Sequence, residues 1–271
     1  GASWSTSTQP TVSSVTSTTG NGTKKVGDVI AITVTFSESV TVSGTPQLTL
    51  ETGSSDAVVN YSSGSGGSVI TFNYTVASGH TSSDLDYNAT SSLALNSGTI
   101  RDAAGNNATL TLASPGATNS LGANKALIID TTIPTMVITA TNGSSAVNDG
   151  ATSNDGTLTM TFTSSEATSN FAVGDISVSG GAMSNFSASS STVYTATFTP
   201  SGNATYTIGV TSGSFADAAG NANSNLSISQ TTSNAGGGGS SHYQTFTAME
   251  SNIIDYIQVN HGFPHAEERT V

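Results

Sequence analysis

The chain has 271 residues, of which only 8% are charged, yet its formal net charge is −12. Lys24, Lys25, Arg101, Lys125 and Arg269 are its only lysines and arginines; without a cationic face to release phosphate counterions, the sequence excludes nucleic acid as a partner and attraction to an anionic membrane surface. It has no cysteine, which removes disulfides and thiolate metal sites and leaves the fold to its apolar cores, as a domain of roughly 115 residues allows.

The length favours two domains. After an N-terminal segment (1–10), short runs of Val, Ile, Thr and Phe alternate with polar residues, the pattern of half-buried strands rather than of a disordered polar chain. In the first domain (11–130) strands are expected at 11–17, 29–37, 46–52, 57–63, 68–76, 92–100, 108–113 and 125–130. Ile32, Val34 and Phe36 fall on one face of the second, with Thr33 and Thr35 on the other. The stretch DTTIPT (130–135) carries a proline and no alternation and marks the boundary. The second domain (131–234) repeats the pattern at 135–142, 157–165, 175–180, 182–189, 193–201, 204–212 and 224–230. Short strands with turn signals every ~8–12 residues give the expected fold class: all-β, two tandem immunoglobulin-like sandwiches.

Past residue 234 the character changes. AGGGGSS (235–241) is a flexible spacer by composition. Residues 242–271 form a tail in which Met249, Ile253 and Ile257 recur at four-residue spacing, Thr247 and Glu250 make a capping box, and Gly262 and Pro264 supply a stop. This predicts a short amphipathic helix over about 248–260; a strand over 253–259 is the rival reading. Phe246, Met249, Ile253, Ile254, Tyr256, Ile257 and Phe263 are candidate docking residues for assembly, since two complete cores leave them no obvious home. No apolar run reaches the ~18 residues that suggest membrane insertion as a helix. Sequons open to N-glycosylation in a glycosylating host stand at Asn21, Asn60, Asn73, Asn88, Asn107, Asn142, Asn185, Asn203 and Asn225.

The pentapeptide DAAGN occurs at 102–106 and again at 217–221, and ITVTFSESVTV (32–42) aligns with LTMTFTSSEAT (158–168), setting Glu38 against Glu166. In a sandwich of this strand order Asp130, Glu166 and Asp217 converge at one pole, with Asp175 near them; Glu38 and Asp102 are the first-domain counterparts. Carboxylates brought together need a cation, and an oxygen-only donor set selects Ca2+ over softer metals. The competing reading is that DAAGN is turn chemistry alone, Asp bonding the backbone and Gly and Asn tolerating positive φ. Asp84, Asp86, Asp149 and Asp155 read as solvated loop charges, and His80 as a loop histidine. No nucleophile elbow, phosphate loop or His-carboxylate constellation is present, so catalysis is not expected.

The runs FSESV…GTPQLTL (36–50), ITFNYTVASGHTSSDLDY (70–87), LALNSGTIRDAAGNNATLTL (93–112) and SLGANKALIIDTTIPT (120–135) resemble the immunoglobulin-like repeats of giant bacterial surface adhesins. The first domain is similar to repeats of the cyanobacterial swimming-associated cell-surface protein. FAVGDISVSGGAMSNF and YTATFTPSG…FADAAGNAN in the second are similar to biofilm-adhesin repeats. The resemblance covers about 10–230 and implies extracellular tandem modules, often rigidified by calcium near the linkers, with Glu38, Asp102, Asp130, Glu166, Asp175 and Asp217 at the matching acidic positions. The expected role is a non-enzymatic extracellular, cell-surface structural or adhesive protein. It would be a fibre subunit joining copies of itself head-to-tail through the C-terminal tail, or a binder of a surface receptor or glycan. The alternatives are a calcium-rigidified spacer of a large adhesin, an engineered scaffold fused to a peptide through a GGGGS linker, and a virion decoration protein.

Overall fold

A computed structural model of the protein describes residues 8–148, 155–202, 205–224, 226–233 and 243–249. The chain divides into two compact units, Gly1–Thr132 and Ile133–Val271.

The first unit contains β1 (Val12–Ser17), β2 (Gly22–Lys24), β3 (Val29–Phe36), β4 (Thr41–Ser43), β5 (Gln47–Leu50), β6 (Ala57–Ser63), β7 (Val69–Thr75), β8 (Leu93–Ala94), β9 (Thr99–Arg101), the one-turn helix α1 (Leu121–Asn124) and β10 (Leu127–Ile129). The ladder order is β1-β3-β7-β6-β5-β8, with β10-β2 and β4-β9 as separate pairs. β6 turns the corner. Its first half, from Ala57 to Asn60, pairs with β5; after Asn60, Tyr61 and Ser63 pair across a register shift with β7. One strand thereby serves both layers, as strands do where a sandwich changes sheet. Alternation places Ile30, Ile32, Val34 and Phe36 of β3 in the core with Leu48, Leu50, Ile70, Phe72 and Tyr74.

Two expected strands are corrected. The run 92–100 breaks into β8 and β9 because Asn96 and Ser97 adopt φ of 47° and 64°, a left-handed turn that no ladder accommodates. Gly98 follows because a Cβ there would stand 2.4 Å from the Ser43 carbonyl oxygen. The run 108–113 forms no continuous strand: Ala108, Thr109 and Leu112 donate to Ile100, Pro10 and Thr90, three different segments. The one-turn helix was invisible to apolar periodicity; Ser120 caps it by accepting from the Ala123 N–H.

The second unit contains β11 (Met136–Thr141), β12 (Ala146–Val147), β13 (Leu158–Ser164), β14 (Ile176–Val178), β15 (Gly181–Ala188), β16 (Val193–Pro200), β17 (Thr205–Val210), β18 (Leu226–Ser233) and β19 (Tyr243–Met249). These form two sheets, β12-β11-β13-β16-β15 and β14-β17-β18-β19. Met136, Ile138, Leu158, Met160, Phe162, Tyr206, Ile208 and Phe215 are all buried between them. Phe171 sits amid an aromatic cluster, with ring centroids 5.8 Å from Phe162, 5.0 Å from Tyr194 and 5.2 Å from Phe215. Asp175 does not open the third strand as expected; it ends a short 3-10 helix over Val173–Asp175 that precedes β14.

The tail also departs from expectation. Residues 243–249 are a strand, paired antiparallel with β18 from Tyr243↔Ser233 to Met249↔Ser227. The helix expected from 248 therefore does not begin there: Ala248 and Met249 continue a sheet ladder whose Tyr, Thr and Phe are residues that favour strands. The rest of that helix, the rival strand over 253–259 and the spacer 235–241 lie outside the described residues.

Two core tyrosines give the first unit an alkaline limit. Burial pushes the Tyr74 phenol up to about 12. Burial, then the neighbouring Asp86 carboxylate, raises Tyr87 to about 12. The unfolded chain loses these protons near pH ~10 and the folded chain does not. Stability is thus fully present below pH ~10 and is lost as pH rises towards 12. Urea midpoints flat to pH 9 and falling steadily from pH 10 to 12 are expected, with a shallower fall in Tyr87→Phe.

Candidate functional site

The two DAAGN loops fold identically at the level of hydrogen bonds. Asp102 Oδ1 accepts from the Asn106 N–H at 2.8 Å and its Oδ2 from Asn106 Nδ2 at 2.7 Å. Asp217 Oδ1 accepts from the Asn221 N–H at 2.8 Å and its Oδ2 from Asn221 Nδ2 at 2.9 Å. In each loop the Asp N–H donates to the Asn carbonyl and the Gly N–H to the Asp carbonyl. The turn chemistry is therefore real, and it fixes both carboxylate oxygens of a buried aspartate, 6% exposed at Asp102 and 2% at Asp217.

A second repeated feature lies beside it. The Thr11 N–H donates to Ser37 Oγ and the Ser37 N–H returns to the Thr11 carbonyl. In the second unit Thr135 and Ser165 make the same reciprocal pair, at 2.9 and 2.8 Å. The pairing ties the entry of β1 to the exit of β3, and the entry of β11 to the exit of β13, and the next residue in each case is the glutamate: Glu38, half-buried, and Glu166, half-buried. The cue was in the sequence, as a Pro-Thr before β1 and β11 and a Ser-Glu after β3 and β13, but it takes a fold to bring the two together.

In the second unit the outcome is a close acidic pair. A bridge between Thr168 and Asp217 draws the DAAGN loop against the segment that carries Glu166. Glu166 and Asp217 each offer a carboxylate oxygen within 4.8 Å of the other's. The Oε1 atom of Glu166 is withdrawn from solvent. Two full charges at that separation repel by roughly 3 kcal/mol at an effective dielectric of about 20. The donor set is all oxygen, and each Asp217 oxygen keeps a lone pair beyond its bond to Asn221. The pair fits a hard cation.

The other expected ligands are placed as follows. Asp130 follows β10 in the first unit; its N–H donates to the Lys24 carbonyl, and its Oδ1 accepts from the Thr132 N–H. Asp175 Oδ2 accepts from the Ala172 N–H and closes its own turn. Asp86, expected to be solvated, is buried: its Oδ2 accepts from Gly116 N–H, and the neighbouring Tyr87 hydroxyl donates to the Ala113 carbonyl, so together they organise the 113–116 loop. Asp84 is exposed, Asp155 is half-buried, and Asp149 lies outside the described residues. His80 stacks on Tyr74 at 5.8 Å, its Nδ1 2.8 Å from the Tyr74 hydroxyl. Asn21, Asn60, Asn73, Asn88, Asn107, Asn142 and Asn185 are exposed; Asn203 and Asn225 lie outside the described residues. Of the docking residues, Phe246 and Met249 belong to β19, opposite Gln230 and Ser227; Ile253, Ile254, Tyr256, Ile257 and Phe263 lie outside.

Residues 6–115 match a family model described as a bacterial Ig-like domain, and residues 130–236 match a second model of the same description. The chain carries two tandem bacterial Ig-like domains. No curated protein matches the chain. Bacterial Ig-like domains are common in surface proteins and are typically non-catalytic structural domains, consistent here with an adhesive or structural role. The second matched segment begins at Asp130 and ends before β19. Among the described residues, no helix is long and apolar enough to cross a membrane.

Removing the Asn221 side chain deprives Asp217 Oδ2 of a donor while keeping the main-chain bonds. Asn221→Ala is expected to destabilise the second domain by about 1–3 kcal/mol, read as a lowered urea midpoint; an unchanged midpoint would show that the loop is held by other means.

Proposed function

We propose that the protein is an extracellular, non-enzymatic structural or adhesive module of a cell surface, and that its second Ig-like domain binds Ca2+ through Glu166 and Asp217. The observation that carries this is the pair itself: two carboxylate oxygens within 4.8 Å, one on a residue only 2% exposed. Asp130 is the third ligand in this reading. It stands five residues before Thr135, whose main chain is bonded to Ser165 beside Glu166. Five residues reach at most about 17 Å, a span compatible with that role. Calcium takes six to eight oxygens, and main-chain carbonyls and water complete the set. The ion would neutralise the buried acids and tie the segment entering the second domain to two of its loops. That is a mechanical task, suited to a module that transmits load between a surface and whatever it holds. The likeness of the sequence to repeats of giant surface adhesins supports the same reading.

The first domain has the glutamate and the aspartate but not the third acid. The position five before Thr11 is Thr6. Within this reading the second domain is the tighter of the two sites.

Calcium that binds only the folded state at about 100 times its dissociation constant adds about 2.7 kcal/mol of stability. Calorimetry in millimolar calcium should raise the second domain's melting temperature by several degrees over the same protein in chelator, and Glu166→Gln should abolish that difference while still folding. Equal melts of the native protein in both solutions would remove the cation from the reading and leave an Ig-like spacer stiffened by packing alone.

A further inference from the structure

We propose that β19 is an exchangeable strand, one that completes the β14-β17-β18 sheet of its own chain or, equally well, that of a second copy. This goes beyond the cation reading and does not depend on it. It gives a definite form to the assembly expected of the tail, since the joining element becomes residues 243–249 rather than a helix.

Four observations carry it. First, β19 lies wholly outside the segment matched as a bacterial Ig-like domain, which ends at residue 236. The strands β14, β17 and β18 fall within that segment, so the domain's own pattern supplies a sheet without it. Second, β18 is paired along its length on both sides, from Leu226 to Thr231 by β17 and from Ser227 to Ser233 by β19. Withdrawal of β19 would turn an eight-residue strand into a sheet edge, and exposed edges of that length recruit other strands. Third, Ser233 and Tyr243 are joined by the nine residues 234–242, where a hairpin needs about two to five. Fully extended, they reach up to ~30 Å, so the connection does not dictate which copy's sheet receives the strand. Fourth, the partner strand reads LSISQTTS and β19 reads YQTFTAM. Backbone hydrogen bonds are the same whichever copy donates the strand, and exchange leaves every pair in the ladder formed.

Exchange is then a matter of concentration. A short tether holds its own strand at an effective concentration on the order of 1 mM. Copies at about 10 μM should cross in roughly one case in a hundred, and copies near 1 mM in roughly half. Dense display on a surface would favour the crossed form. Each chain gives one strand and accepts one. Reciprocal exchange closes a dimer and sequential exchange builds an open row.

The absence of native cysteine makes the test direct. Ser229 and Thr247 are register partners across β18 and β19, and opposed antiparallel residues lie within disulfide range. Full-length Ser229→Cys and Thr247→Cys proteins, one carrying a tag, would be mixed and oxidised in chelator at 10 μM and at 1 mM. The double variant Ser229→Cys/Thr247→Cys serves as the intrachain control. The expected result is intrachain closure of the double variant, and a mixed disulfide between the single variants that grows at least tenfold in yield at the higher concentration and exceeds both homodimers. Closure of the double variant without any excess of mixed disulfide would overturn exchange. Failure of the double variant to close would overturn the pairing on which exchange rests. Because chelator is present throughout, a failed calcium experiment and a failed exchange experiment remain separate results.

Discussion

In the second domain one buried carboxylate is held at both of its oxygens. Asp217 is almost fully buried, and both of its oxygens are engaged by the same residue, Asn221, once through the main chain and once through the side-chain amide. A buried charge is tolerated only where hydrogen bonds replace its water, so the five-residue loop has one good conformation. That conformation does more than end a turn. It holds the aspartate in place beside Thr168 and therefore beside Glu166. The Thr135–Ser165 reciprocal pair sets the other side in the same way, by fixing the residue immediately before the glutamate. Neither acid is steered by the other, as their charges oppose approach. Two independent hydrogen-bonded clamps impose the proximity.

The same clamps in the first domain show what is architectural and what is specific. Asp102 with Asn106, and Thr11 with Ser37, reproduce both devices. The frame recurs in both domains, each time with a glutamate directly after its serine. The difference lies in the approach segment, Asp130 before the second domain and Thr6 at the corresponding place before the first.

Legibility in the sequence followed the range of the interactions concerned. Strands such as 57–63 and 193–200 were legible because alternation of buried and exposed positions is a local signal. The repeated pentapeptide was legible because identical letters demand identical turns. What escaped were elements defined by a partner. β2 was missed because its partner, the expected strand β10, lies about a hundred residues away, and β4 because it exists only against β9; the 108–113 run was expected as a strand but finds no continuous neighbour. Asp86 misled in the opposite direction: among serines and a second aspartate it reads as solvated, but the loop at 113–116 folds over it and supplies the Gly116 donor.

β19 brings the two themes together. Its Tyr, Thr and Phe favour a strand, while Thr247 also opens the capping box that ends at Glu250, and the local signals balance. The decision falls to the eight-residue strand β18, which offers a full row of backbone partners to whatever lies alongside. An open edge is a hazard for a protein at high surface density, and natural sheets cover such edges. Here the cover is supplied by residues beyond the Ig-like domain, attached by a connection longer than closure requires. A strand that guards an edge by pairing with it has, by the same hydrogen bonds, the means to join another copy's edge. On the proposed exchange, protection and assembly would be one interaction, separated only by which chain the strand belongs to.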